Sequence, residues 1–214
     1  YIDVVTGMYD DVAKTGTSDP RCYHIFDASY RISSIAGPIA PGKVMPDKQV
    51  PRRYRDGNYL FKADSIDELC EQLKIPANTV KSTIERFNQH ALVGKDPDFN
   101  RGWSAQDRYY GDPSVKPNCS LGPVETPPFY AVQIYPGDLG TKGGVVTDAH
   151  ARVLRDDGTP IAGLYAAGNS TASVMGRTYP GAGGTIGPAL TFGFLAAEDA
   201  AGQETTESTQ EAAE

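Results

Sequence analysis

The chain has 214 residues, 39% of them hydrophobic, and a formal net charge of −7. That length supports one or two real cores, and the negative balance argues against nucleic-acid partners and anionic membranes. No apolar run reaches the length of a membrane span, and Cys22, Cys70 and Cys119 form no CxxC pair or Cys/His cluster, so neither a spanning helix nor a metal site is expected.

Widely spaced cysteines favour a reducing compartment, hence a cytoplasmic protein, with association at a membrane left open. The chain opens at Tyr1 inside an apolar pattern and without methionine, which reads as a piece of a longer protein. His24, His90 and His150 stand apart from one another and read as packing or surface residues.

Ile2, Val5, Met8, Tyr9 and Val12 recur at helical spacing, so a short amphipathic helix is expected over residues 1–16. Tyr23 to Asp27 suits a buried strand. Residues 35–55 hold four prolines with Ile35 and Ile39 among them, which predicts a long irregular loop folded over something. Ser65 and Glu68 have the spacing of a capping box, opening a helix that buries Ile66, Leu69 and Leu73. Pro76 ends it. Asn78 is placed to cap a second helix, whose buried side carries Val80, Ile84, Phe87 and Ala91.

Residues 96–129, rich in Pro, Asn, Gly and Tyr, read as mostly irregular, with Trp103, Tyr109 and Tyr110 either lining a pocket or packing beneath the loop. Phe129 to Tyr135 is a strand. Residues 143–148 and 151–154 read as paired short strands, and 161–168 as a buried strand entering a glycine turn. An apolar helix follows over 188–201, with Pro188 in its first turn, where a missing N–H does no harm. The acidic tail, 202–214, is expected to lack structure.

The stretch Gly163 to Leu195 is glycine-rich, poor in charge and leads into that helix. Glycine permits close backbone approach, and a helix N-terminus offers free N–H groups to electron-rich ligand atoms. The stretch therefore reads as the floor of a cofactor site holding a catalytic tyrosine. Tight helix–sheet packing with Tyr179 as a surface phenol is the competing reading.

Gly163-Leu-Tyr-Ala-Ala-Gly168-Asn169 and Gly184-Thr-Ile-Gly-Pro-Ala-Leu190 resemble landmarks of flavoproteins related to fumarate reductase and succinate dehydrogenase. Dicarboxylate-handling members carry a His-Gly-x-Asn-Arg pattern between them, where this chain has Met175-Gly176-Arg177-Thr178-Tyr179. A neutral phenol cannot make the bidentate charged fork of an arginine, so a dicarboxylate substrate is disfavoured. Thr171-Ala-Ser-Val-Met-Gly176 and Tyr179-Pro-Gly-Ala-Gly183-Gly-Thr-Ile-Gly-Pro-Ala189 closely resemble the 3-ketosteroid Δ1-dehydrogenase family. The likeness extends to residues 107–113, 136–144 and the paired helices.

This resemblance implies an α/β protein: an α+β catalytic cap domain over 1–140, the C-terminal part of a Rossmann-like FAD-binding domain over 141–201, and the tail. It implies FAD as cofactor, a 3-ketosteroid as substrate, and a quinone-like or artificial electron acceptor. It also implies a further FAD-binding part of the same protein, bearing the GxGxxG fingerprint. The Tyr179 hydroxyl and the Gly183 N–H would polarise the C3 carbonyl, and Tyr1 would take the C2 proton, with Tyr9 and Tyr30 as competitors. Ala167, Gly168, Asn169, Gly187, Pro188, Ala189 and Leu190 would contact the flavin, while Ile35, Ile39 and Pro180 would wall the steroid pocket. The alternatives are a related flavoprotein acting on another ketone or enone, or a non-catalytic fragment.

Overall fold

A computed structural model describes residues 4–55, 59–137 and 140–211, with side chains through Gly202. It is a mixed α/β structure of two compact units, one essentially Thr6–Pro136 and the other Gly137 onward together with Val4 and Val5.

The first unit is built on a three-stranded antiparallel sheet in the order β1 (Cys22–Phe26), β3 (Phe129–Ile134), β2 (Leu60–Ala63). The register sets Phe26 opposite Tyr130, Leu60 opposite Val132 and Phe61 opposite Ala131. Successive side chains alternate between faces, and both faces of the central strand are covered. Phe26, Leu60, Tyr130 and Val132 pack with Ala36, Ile39 and Val50 from the proline-rich segment. On the other face, Phe61, Ala63 and Ala131 pack against Leu69 and Leu73 of α3 (Ile66–Leu73). Phe26 and Tyr130 stack with ring centroids 5.5 Å apart.

Buried polar groups tie the loops to this sheet. Asp27, 2% exposed, caps α2 (Ala28–Ser33) by accepting from the Tyr30 N–H at 3.0 Å. Its second oxygen accepts from the Glu125 and Thr126 N–H groups. Buried Arg31 donates to Asp47 at 3.0 Å and to the carbonyls of Ala40 and Met45, clamping the proline-rich loop. Asp47 also accepts from Lys62 at 2.6 Å and from the Tyr130 hydroxyl at 2.8 Å. Burial pushes the Asp47 carboxyl up, but the Lys62 and Tyr130 hydrogen bonds and the Lys62 and Arg31 charges outweigh it, leaving the group below the usual carboxylate range.

Ser65 accepts from the Glu68 N–H, as its spacing predicts, while the Glu68 carboxylate reaches back to the N–H of Asp64. The second helix, α4 (Ala77–Val93), departs from expectation at its start. Pro76 occupies the capping position and Asn78 lies inside the first turn, with no side-chain cap. Proline's fixed φ and missing N–H suit a helix start. The segment 96–129 contains a short helix, α5 (Ala105–Tyr110), closed by a Ser104–Asp107 capping box. Trp103 and Tyr109 are about four-fifths exposed, so neither packs beneath the loop. The first helix, α1 (Val4–Thr15), buries Met8.

In the second unit, β4 (Arg152–Leu154) pairs antiparallel with β5 (Pro160–Tyr165). Of the expected 143–148 strand, Thr147 bridges to Val153, whereas Val145 bridges in parallel to Thr171. A 3-10 turn over Gly168–Ser170 packs on α6 (Ile186–Glu211). That helix continues through the acidic segment to Glu211, where the sequence reading expects no regular structure; past Gly202 its residues include the good helix formers Gln203, Glu204 and Glu207. Among the described residues no helix is long and apolar enough to cross a membrane.

Candidate functional site

The second unit brings the two glycine landmarks together. Gly168, with φ +68, opens the 3-10 turn, and a Cβ built on it would sit 3.0 Å from that of Ala189. A side chain there would push the turn off α6, so glycine sets how closely the two pack. A crevice there is lined by Gly168, Asn169, Gly184, Thr185, Pro188 and Phe192, together with Thr141, Lys142, Thr171 and Ser173. The Thr141 hydroxyl donates to the Asn169 carbonyl, which holds the 140–142 segment against the turn.

Tyr179 and Gly183 stand at the entry to α6. The Gly184 N–H closes a turn onto the Gly181 carbonyl at 3.0 Å, and the Gly187 N–H bonds the Gly183 carbonyl at 2.8 Å. Gly183 takes φ +89, and a Cβ built on it would meet nothing within 4 Å. Among the described residues, the N–H groups of Gly183, Thr185 and Ile186 have no hydrogen-bond acceptor. They are donors at a helix start, where partial positive charge concentrates. Tyr179 is half-buried, and its ring edge lies beside Gly184.

A flexible lysine completes the arrangement: the Lys142 ammonium lies over the Tyr179 ring, 5.3 Å from its centroid. Sequence reasoning missed Lys142, Thr141, Thr171 and Ser173. The signal available for them was the Gly143-Gly144 pair, since Gly144 lies so close to Ser170 and Thr171 that a Cβ on it would be 2.5 Å from backbone atoms of both.

These residues fit the polar edge of a flavin ring. The crevice offers neutral donors, the free Thr185 N–H and one cation, and among the described residues no carboxylate lines it. Ala167, Gly168, Gly187, Pro188 and Ala189 are half-buried, Asn169 is exposed on the crevice rim, and Leu190 is exposed on α6.

The other expected site residues are placed differently. Ile39 is 1% exposed and packs in the sheet core of the first unit. Ile35 is exposed there, and Pro180 is exposed beside Tyr179. Tyr1 lies outside the described residues. Of its competitors, Tyr9 is exposed on α1, while the Tyr30 hydroxyl donates to the Ile35 carbonyl at 3.0 Å and its ring packs against His24 and Phe26. Burial pushes the His24 pKa down, consistent with a packing histidine. His90, Asp96 and Asp98 approach one another, but Arg101 pairs with Asp96 and Arg86 with Asp98.

The chain is 51% identical over 195 residues to a 3-oxosteroid 1-dehydrogenase of Mycolicibacterium smegmatis, covering 91% of this chain and 33% of that protein. It is 43% identical over 196 residues to a 4-oxocyclohexanecarboxylate 2-dehydrogenase of Sinomonas cyclohexanicum, covering 91% of this chain and 32% of the relative. Among solved structures, the 3-ketosteroid Δ1-dehydrogenase of Sterolibacterium denitrificans in complex with 1,4-androstadiene-3,17-dione superposes with a TM-score of 0.84 at 43% identity, over 95% of this chain and 36% of that one. The chain thus spans about a third of the length of the curated relatives it matches. Residues 2–186 match the model of the FAD binding domain, and the chain belongs to that family.

Proposed function

We propose that this chain supplies the ketone-gripping part of an FAD-dependent dehydrogenase that removes hydrogens from C1 and C2 of a 3-ketosteroid. The observation that carries the reading is that Tyr179 and the Gly183 N–H, which has no acceptor among the described residues, stand four residues apart in the turn that enters α6. Two donors four residues apart and joined by a tight turn suit a single carbonyl oxygen. Donation to the C3 oxygen moves charge onto it as C2 loses its proton, so the enolate-like state is stabilised more than the ketone. Gly183, with open space where a Cβ would stand, leaves room for a flat ring.

Bound FAD supplies the hydride-accepting chemistry. The free N–H groups of Thr185 and Ile186 would hold its ring edge, and Gly168 keeps the 3-10 turn packed against α6. Tyr1 is assigned the C2 proton; a free phenol has a pKa near 10, so this base needs support from its surroundings. A quinone-like acceptor, a further FAD-binding part of the same protein and a cytoplasmic setting complete the proposal.

The test is dehydrogenation of androst-4-ene-3,17-dione by the full-length, flavin-loaded protein with an artificial electron acceptor. Turnover is expected, and Tyr179→Phe should lower kcat by roughly 10²–10³-fold, as loss of one donor to a developing oxyanion does elsewhere. Absence of turnover with FAD bound would sink the steroid reading. The similarity to a dehydrogenase of 4-oxocyclohexanecarboxylate supports a second reading, a smaller cyclic ketone held through the same oxygen. Comparing kcat/KM for the two substrates decides between them.

A further inference from the structure

Lys142 lies 37 residues before Tyr179 in the chain, yet its ammonium is over the phenol ring. Backbone bonds hold it there. The Ser173 N–H donates to the Lys142 carbonyl at 3.0 Å, the Val145 N–H donates to Ser170 at 3.1 Å, and the Ala172 N–H donates to Val145 at 2.9 Å. This short ladder carries residues 142–145 along 170–173, and the bare α-carbon of Gly144 is what permits the approach. Lys142 is half-buried, and among the described residues its ammonium has no ion-pair partner.

The geometry of this contact matters chemically. An ammonium bonded to the phenol oxygen would take up a lone pair and compete for the position a ketone needs. An ammonium above the ring face does neither: it is drawn by the ring quadrupole and pulls electron density from the ring. That makes the O–H a stronger donor while leaving it free to point at a ligand. We propose that Lys142 is a positioning residue for the reaction assigned above, holding the Tyr179 ring in place and strengthening its hydroxyl as a donor to the substrate carbonyl. The inference rests on that assignment of Tyr179.

The test uses the flavin-loaded protein with Lys142→Met, Lys142→Arg and Tyr179→Phe, each checked for native flavin absorbance and thermal melting. Lys142→Gln serves as the second neutral variant if Lys142→Met does not fold. Two readouts are taken: steady-state turnover of androst-4-ene-3,17-dione, and the infrared carbonyl stretch of bound 1,4-androstadiene-3,17-dione, which reports polarisation without turnover. Lys142→Met is expected to lower kcat about five- to tenfold and to leave KM within about twofold. Its bound-ketone stretch should move part of the way back to the solution frequency. Lys142→Arg, which keeps a cation over the ring, should retain both the rate and the stretch.

Unchanged kcat and stretch in Lys142→Met, a rise confined to KM, or an arginine variant as impaired as the methionine one would each overturn the inference. Tyr179→Phe separates the two levels. If it shifts the stretch and Lys142→Met does not, the role of Lys142 alone is refuted. If neither shifts it, the assignment of Tyr179 as carbonyl donor fails first and takes the role of Lys142 with it.

Discussion

Replacing Gly144 with alanine is expected to destabilise the second unit, whereas the same change at the adjacent Gly143 is not. A Cβ at position 144 would stand 2.5 Å from both the Ser170 carbonyl oxygen and the Thr171 carbonyl carbon, and 2.7 Å from the Ser170 carbonyl carbon. These are backbone atoms, so no side chain can swing away. Relief requires the 142–145 segment to separate from 170–173, breaking the bonds between Val145 and Ser170, Ala172 and Val145, and Ser173 and Lys142. At about 1 kcal/mol for each of these bonds, and 1–3 kcal/mol for strain if they are kept, the loss is about 3 kcal/mol. A Cβ at Gly143 meets nothing within 4 Å, and its φ lies outside the left-handed range. Alanine there should be neutral or slightly stabilising through the unfolded chain. Urea unfolding followed by circular dichroism gives both values from the shift in midpoint at constant slope. A Gly144→Ala protein within about 0.5 kcal/mol of wild type would refute the steric argument.

Asp27→Ala removes the acceptor of three backbone N–H groups in a 2% exposed position, and a loss of about 2–4 kcal/mol is expected by chemical denaturation. Asp27→Asn, which keeps one acceptor oxygen, should lose less. The depressed pKa of Asp47 means its contribution is present above the unfolded carboxylate value of about 3.9 and is lost as pH falls through the folded one. Asp47→Asn should therefore be less stable at neutral pH and show a flatter acid limb below about pH 4 in thermal melts; an unchanged limb would contradict the assignment. Leu69→Ala, at a fully buried site between sheet and helix, should lose about 2–5 kcal/mol, while Trp103→Ala, 83% exposed, should stay within about 0.5 kcal/mol.

How much of this was legible depends on how local the physics is. The Ser65 cap is decided within four residues, and its hydrogen bond forms as the spacing predicts. The Asn78 cap was misplaced because Pro76, two residues earlier, is itself a good helix start. Ile39 and Ile35 look alike in sequence, four residues apart in one loop, yet one is 1% exposed and the other 63%. What separates them is the Arg31–Asp47 clamp, an interaction across 16 residues that no local pattern announces. The sheet order is less legible still, since the β1–β3 pairing joins segments about a hundred residues apart. In the site, the turn and helix start around residues 181–187 were readable because such elements have a composition of their own, whereas the roles of Tyr179 and Gly183 came from the family resemblance. Lys142 was not readable, because a lone lysine carries no signature until its partner's position is known.

The charges near Tyr179 bear on the proposed substrate, as does the tyrosine that stands at position 179. A dianion needs cations that face it and are not already used. Among the described residues the crevice contains one, Lys142, and its ammonium is over a ring face. Arg177 is exposed and lines no part of the crevice. Two carboxylates brought beside Tyr179 would lose hydration and find, among the described residues near it, one cation, an unfavourable exchange. A neutral ketone loses far less hydration. It needs donors only at one oxygen, and it gains most from them as charge arrives there. The two donors proposed above, a phenol and a backbone amide with a cation over the phenol ring, would suit a ligand that is uncharged when it binds and becomes anionic only as it reacts.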